Sequence, residues 1–150
     1  MANICKTVIT INAEEDAMDW FEALVENFSD DDYVNHFGGK DGSFIERVGC
    51  KWFMKLDEWR EEEDEYHLEF ESAWYPPDVL IKNIVNQLQK RDKFAYASGR
   101  YWDECYNPIG IFQCNSLEMF ETAETSINVD ESKEFYWDEE VEPAFEKLEL

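Results

Sequence analysis

Positive charge is what this chain has least of: 13 Lys and Arg stand against 36 Asp and Glu in 150 residues, a formal charge of −23 at pH 7. That shortage argues against direct nucleic-acid binding, because affinity for a phosphate backbone comes from basic side chains that release counterions. The same field draws cationic proteins. Long apolar runs are also missing. None approaches the roughly 20 residues that cross a bilayer, and Met1-Ala2-Asn3-Ile4-Cys5-Lys6 lacks the apolar centre of a signal peptide. A cytoplasmic protein without membrane association is the expectation.

Reactive constellations are equally scarce. Cys5, Cys50, Cys105 and Cys114 form no CxxC pair and no Cys/His zinc spacing, so reduced and mostly buried thiols are expected. His36 and His67 have no Ser, Cys or second His at a useful distance, and neither a Gly-rich phosphate loop nor an EF-hand calcium loop occurs. Asp103-Glu104 could in principle move protons or hold Mg²⁺, but among 36 acids such neighbours arise by chance. No catalytic residue, metal or cofactor is assigned.

What the chain does have is aromatic weight, 16% Phe, Trp and Tyr, which separates it from disordered acidic tails. Its length suits one core. Lys6 to Ile11 reads as a strand, with Asn12 as a helix cap and Glu15 three positions on. Ala17, Trp20, Phe21, Leu24, Val25 and Phe28 then give an amphipathic helix of about four turns. Residues 29 to 42 read as a loop. A strand from about Val48 to Trp59, a turn from Arg60 to Glu65, and the alternation of Tyr66, Leu68, Phe70, Ser72 and Trp74 predict a hairpin. Pro76-Pro77 stops it and opens a second helix with the stripe Leu80, Ile81, Ile84, Val85 and Leu88. Two more strands, about 94–101 and 109–114, flank a turn at Asn107-Pro108. Trp74 is expected to be buried at the corner between strand and helix.

This order, β-α-β-β-α-β-β, predicts an α+β fold, a two-layer ferredoxin-like sandwich over residues 1–115. An acidic extension, 116–150, would pack on the open sheet face through Leu117, Phe120, Phe135, Trp137, Phe145 and Leu148. The quoted residues also resemble a known family. Met1-Ala2-Asn3-x-Cys5 with Val8-x-x-Ile11, Gly49-x-Lys51-Trp52, Phe70-x-Ser72-Ala73-Trp74-Tyr75-Pro76-Pro77 and Tyr101-Trp102-Asp103-Glu104 before Gly110 look like the YubB-type ferredoxin-like domain family of phages and plasmids. The resemblance spans about residues 1–114. It departs at Ile4, where the family has Trp, and at Arg47-Val48-Gly49-Cys50, where the family has Asn-Trp-Gly-Thr. It implies the fold and a mobile-element origin, and brings no activity.

Acid clusters carry the functional expectation. Asp57 to Glu65 holds Asp57, Glu58, Glu61, Glu62, Glu63, Asp64 and Glu65 around Trp59 and Arg60. Glu69 and Glu71 continue the row on the outward face of the next strand, where same-face residues stand about 6.6 Å apart. A rigid row at that pitch can approximate a line of phosphates. Asp138, Glu139 and Glu140 follow Tyr136-Trp137 and offer a second candidate interface. The expected function is a non-enzymatic, phage-type nucleic-acid mimic that binds and inhibits a basic host or defence protein. The alternatives are an accessory interaction module, and a small-molecule binder or enzyme using a cleft beside the sheet.

Overall fold

β1 (Ile4–Asn12) forms where β-branched residues are densest, and its alternation places Cys5, Thr7, Ile9 and Ile11 in the core while Lys6, Val8 and Thr10 face the other way. The computed structural model describes residues 3–128 and 135–150. The Met1-Ala2 step of the resemblance and residues 129–134 of the C-terminal segment lie outside them. After β1 come α1 (Glu15–Val25), α2 (Asp30–Phe37), α3 (Phe44–Val48), the hairpin β2 (Phe53–Glu62) and β3 (Glu65–Ala73), then α4 (Asp78–Gln89). β4 (Tyr96–Asp103), β5 (Ile109–Ser116) and β6 (Met119–Thr125) follow, and a π-helical turn (Trp137–Val141) leads into α5 (Glu142–Glu146).

The fold is α+β. Among the described residues six strands pair antiparallel throughout in the order β2-β3-β1-β4-β5-β6, with five α-helices. On one face, here called inner, Ile9, Ile11, Leu68, Phe70, Ala97 and Phe112 of the sheet form one core with residues of α1, α2 and α4. Phe21 of α1 meets Tyr66 edge-on at 5.2 Å. On the outer face a smaller cluster joins Ile109 of β5 to Val141 and Phe145, with Trp102, Trp137 and Leu148 against it. The arrangement is compatible with a two-layer sandwich in which the described C-terminal residues cover the outer face over β4 and β5.

Several local expectations are corrected. Asn12 is not a cap: its backbone is held in the sheet between Glu65 and Tyr96, and Glu14 is the residue before α1. α1 ends at Val25, short of Phe28, which instead packs edge-on to Tyr33 at 5.4 Å. The expected loop 29–42 contains α2, because Ser29 and Asp32 bond each other's backbone N–H in a capping box while Tyr33, Val34 and Phe37 reach the core. The same device, Ser43 with Glu46, starts α3, so β2 begins at Phe53 rather than near Val48. The expected turn 60–65 shrinks to Glu63-Asp64, with strand pairing down to Glu62 opposite Glu65. The next strand starts at Tyr96 rather than 94. β6 was not foreseen at all.

Trp74 is 57% exposed instead of buried. Its backbone lies in the left-handed region at φ 69, a turn that swings the indole outward while Tyr75 packs on Tyr101. By contrast the α4 stripe, Leu80, Ile81, Ile84, Val85 and Leu88, is buried as its spacing predicts.

Gly49 closes α3 at φ 102, and a Cβ there would stand 1.9 Å from Asp78 Oδ1 and 3.0 Å from Asp78 N. Gly49→Ala is expected to lower stability by about 1–3 kcal/mol. Gly39→Ala, whose Cβ meets nothing closer than 3.4 Å, should cost less than about 1 kcal/mol. Urea unfolding of the two variants checks this.

Candidate protein-interaction surface

The acidic row is built by β2 and β3, and its geometry is set by two breaks in β2. Strict alternation from Met54 would point Glu58 outward. The register instead shifts between Lys55 and Asp57, leaving Leu56 as the extra residue. As a result Asp57 and Trp59 take the outer face, while Lys55 and Glu58 both turn inward. The outer face then carries, across the hairpin, Met54 opposite Glu71, Asp57 opposite Glu69, Trp59 opposite His67 and Glu62 opposite Glu65.

Glu58 therefore does not belong to the exposed row, which corrects its assignment as a partner-binding acid. Its Oε2 accepts hydrogen bonds from the Tyr33 hydroxyl at 2.9 Å and the Tyr66 hydroxyl at 3.1 Å, and its Oε1 pairs with Lys55 Nζ at 2.8 Å. Burial, and then the Glu58 charge, push both phenols above their ordinary range, so both stay protonated and donate. This carboxylate is consumed in holding α2 against the hairpin.

The remaining acids keep their charge for solvent or a partner to differing degrees. Glu62, Glu63 and Asp64 are exposed at the tip. Asp57 accepts the Glu58 backbone N–H at 2.8 Å. Glu69 and Glu71 are half-buried on the outer face, where β1 places Val8 beside Glu69 and Lys6 beside Glu71. At the centre Trp59 stacks on His67, with ring centroids 4.9 Å apart and planes 12° apart. Glu61 accepts from the Trp59 indole at 2.9 Å, while His67 bonds Glu65 at 3.1 Å and Thr10 at 3.2 Å. The outer face of the hairpin thus holds an aromatic pair bordered by carboxylates.

Asp138, Glu139 and Glu140 are exposed on the π-helical turn and are not brought to this surface. Their neighbour Trp137, one of the residues expected to pack on the sheet face, lies against Trp102 at 5.0 Å and Tyr106 at 6.0 Å and so is used within the chain. Glu139 and Glu140 line a cleft of about 620 Å³ with Glu124, at the β6 edge and so across the sheet from β2. Three acids absent from the sequence assignment do join the hairpin. Asp19 and Glu22 of α1, with Glu26 just past its end, line a groove of about 560 Å³ with Glu58, Trp59, Arg60 and Tyr66. Arg60 crosses it to bond Asp19 at 2.7 Å. Their three- and four-residue spacing reads as one helix face, but nothing in it shows that the face meets β2.

The acid pair that could move protons or hold Mg²⁺ is engaged within the chain. Asp103 is buried and accepts the Cys105 N–H, and Glu104 accepts the Ile4 N–H, so the two acids serve the backbone. Among the described residues no cluster of His, Cys, Asp or Glu is arranged to hold a metal, and no helix is long and apolar enough to cross a membrane. Cys5, Cys50 and Cys114 are buried and Cys105 is exposed. Burial pushes the Cys5 and Cys50 thiols up from 9.0 to about 12.

Two outcomes follow for the thiols. In the native protein Cys105 should react rapidly with a thiol reagent at pH 8, whereas Cys5, Cys50 and Cys114 should react only after unfolding, as peptide mass mapping can read. A thiol raised on folding favours the native state fully below its unfolded value, and that contribution is lost as pH rises past it. Stability in urea should therefore fall between pH 9.0 and about 12, and the fall should shrink in Cys5→Ala.

No family model, curated protein or solved structure matches this chain.

Proposed function

We propose that this chain is a non-enzymatic, phage-type acidic protein that binds and inhibits a basic, nucleic-acid-binding host or defence protein by standing in for nucleic acid. One observation carries this reading. Asp57 faces Glu69 and Glu62 faces Glu65 on a single hairpin, and like charges directly opposite each other destabilise a sheet. A row that costs stability, and that the chain's few cations leave largely uncompensated, is explained by a cationic surface that meets it. Among the described residues only Lys55, Arg60, Lys82 and Arg100 make lysine or arginine ion pairs.

The strand order β2-β3-β1-β4, with α1 before the hairpin and α4 after it, supports the finer ferredoxin-like assignment. The YubB-type resemblance, the mobile-element origin and the cytoplasmic location enter this proposal from the sequence alone. Partner contact is assigned to Asp57, Glu61, Glu62, Glu63, Asp64, Glu65, Glu69 and Glu71. A second reading, a small-molecule binder or enzyme beside the sheet, draws on an outer-face groove of about 380 Å³ lined by Val8, Thr10, Ser98, Arg100 and Leu150. Its guanidinium is already held by Glu142 at 2.8 and 2.9 Å and lies 4.9 Å from the Phe145 ring centre, which favours the first reading.

The test is capture of basic proteins from a lysate of the natural host, at low and at high salt. The variant Asp57→Asn, Glu62→Gln, Glu63→Gln, Asp64→Asn, Glu69→Gln should weaken capture by about tenfold and flatten its salt dependence. It should unfold no earlier than the parent in urea, since removing opposed like charges relieves repulsion. Unchanged capture by a folded variant would remove the hairpin as the site. Anisotropy titration of the parent with DNA and RNA at low salt should detect no binding.

A further inference from the structure

The two edges of the sheet are built differently. β2 is irregular in two places, between Lys55 and Asp57 and between Arg60 and Glu62, and such bulges obstruct pairing with another strand. β6 stays in register with β5 from Thr125 opposite Ile109 to Phe120 opposite Cys114. Among the described residues no strand pairs with its other side. Along an antiparallel strand about half of the backbone N–H and C=O groups point away from the paired neighbour. Among the described residues β6 therefore presents a continuous row of free donors and acceptors from Phe120 to Thr125, the one register shift of this pair lying before it, between Cys114 and Ser116.

Its side chains define what can use that row. Leu117 and Met119 are exposed at its start, 44% and 45%. Glu118, Glu121 and Glu124 follow, and Glu139 and Glu140 border the cleft at its far end with Lys147. No Lys or Arg occurs in the sequence between Arg100 and Lys133, and the nearby Lys82 ammonium lies over the Phe120 ring at 6.0 Å. Two copies meeting edge to edge would set these acids against one another. The same charges complement a cationic strand.

We propose that β6 is a strand-addition site for an extended, Lys/Arg-rich segment of a partner protein, which adds a seventh strand through main-chain hydrogen bonds and is selected by Glu118 and Glu121, while Glu124 is held by the Tyr101 hydroxyl at 2.8 Å. The proposal takes from the preceding section only the cationic character of the partner, and uses the sheet edge opposite the hairpin.

The probe is a synthetic peptide of about nine residues, a typical strand length, alternating Lys with Thr and Val. A second version is N-methylated at every other amide, which removes donors and keeps the charge. Hydrogen exchange of the full chain should slow at Met119–Thr125 on adding the first peptide. Three lost main-chain bonds should make the N-methylated version bind about a hundredfold more weakly. Glu121→Gln should weaken the first peptide as well, and the hairpin variant should bind it within about twofold of the parent, because the two edges are too far apart to share screened charges. Equal affinity for both peptides, or no slowing at β6, would overturn the proposal. Slowing confined to Asp57–Glu65 would overturn it too, while leaving the hairpin reading intact. Slowing at β6 together with unchanged lysate capture by the hairpin variant would support it and remove the hairpin.

Discussion

Everything in this molecule is conditioned by its own repulsion. With nearly three acids for each base, Coulomb forces among surface groups oppose compaction, and the few ion pairs return little, typically less than about 1 kcal/mol each when exposed. The apolar core must outweigh that. It does so with large side chains: Phe21, Phe37, Phe70, Phe112, Tyr33 and Tyr101 are all fully buried, and burying such a ring contributes about 2 kcal/mol or more. The high aromatic content and the high charge are thus two sides of one balance, since volume per residue in the core compensates for positions given over to acids outside.

Glu58 shows how the fold sorts its carboxylates. One extra residue at Leu56 turns this acid inward, where two phenol hydroxyls and Lys55 satisfy it, and turns Asp57 and Trp59 outward. A buried charge is tolerated only when paired and hydrogen-bonded. Here those bonds also fasten α2, the helix with no strand of its own, to the hairpin. The same backbone irregularity therefore separates an acid that holds the structure from acids left to act on something else.

How much of this could be read from residues varies with how local the cause is. The alternation of Tyr66, Leu68, Phe70 and Ser72 and the stripe from Leu80 to Leu88 are set by one sheet face and one helix face, and both appear as their periods require. Asp and Gly content gives the α2 and α3 segments a loop-like composition, although their Ser29/Asp32 and Ser43/Glu46 capping boxes are a local helix-start signal of the form Ser-x-x-Asp or Ser-x-x-Glu. Trp74 departs from the alternation because its backbone takes a positive φ, which is uncommon for a non-glycine residue and has no sequence pattern to announce it. The inward turn of Glu58 depends on a bulge, and the grouping of Asp19, Glu22 and Glu26 with the hairpin depends on helix packing. Composition reveals neither, since a one-residue slip exchanges the two faces of a strand.

Charge by itself is a poor selector. A field of this sign repels every phosphate backbone and attracts every basic protein, so discrimination among basic partners has to come from short-range geometry. On the proposed reading the hairpin would supply one such element, the Trp59–His67 stack bordered by Glu61, Glu65, Asp57 and Glu69, whose aromatic face suits a planar guanidinium. The strand-addition site proposed at β6 would supply a different one, a main-chain pattern suited to an extended segment. The two stand at opposite edges of the sheet, about five strand spacings, or roughly 24 Å, apart. That separation exceeds the roughly 8 Å over which charges communicate at physiological ionic strength. A partner that engages both edges must therefore be large enough to span the sheet, and the gain from doing so would come from tethering two modest contacts rather than from any single strong one.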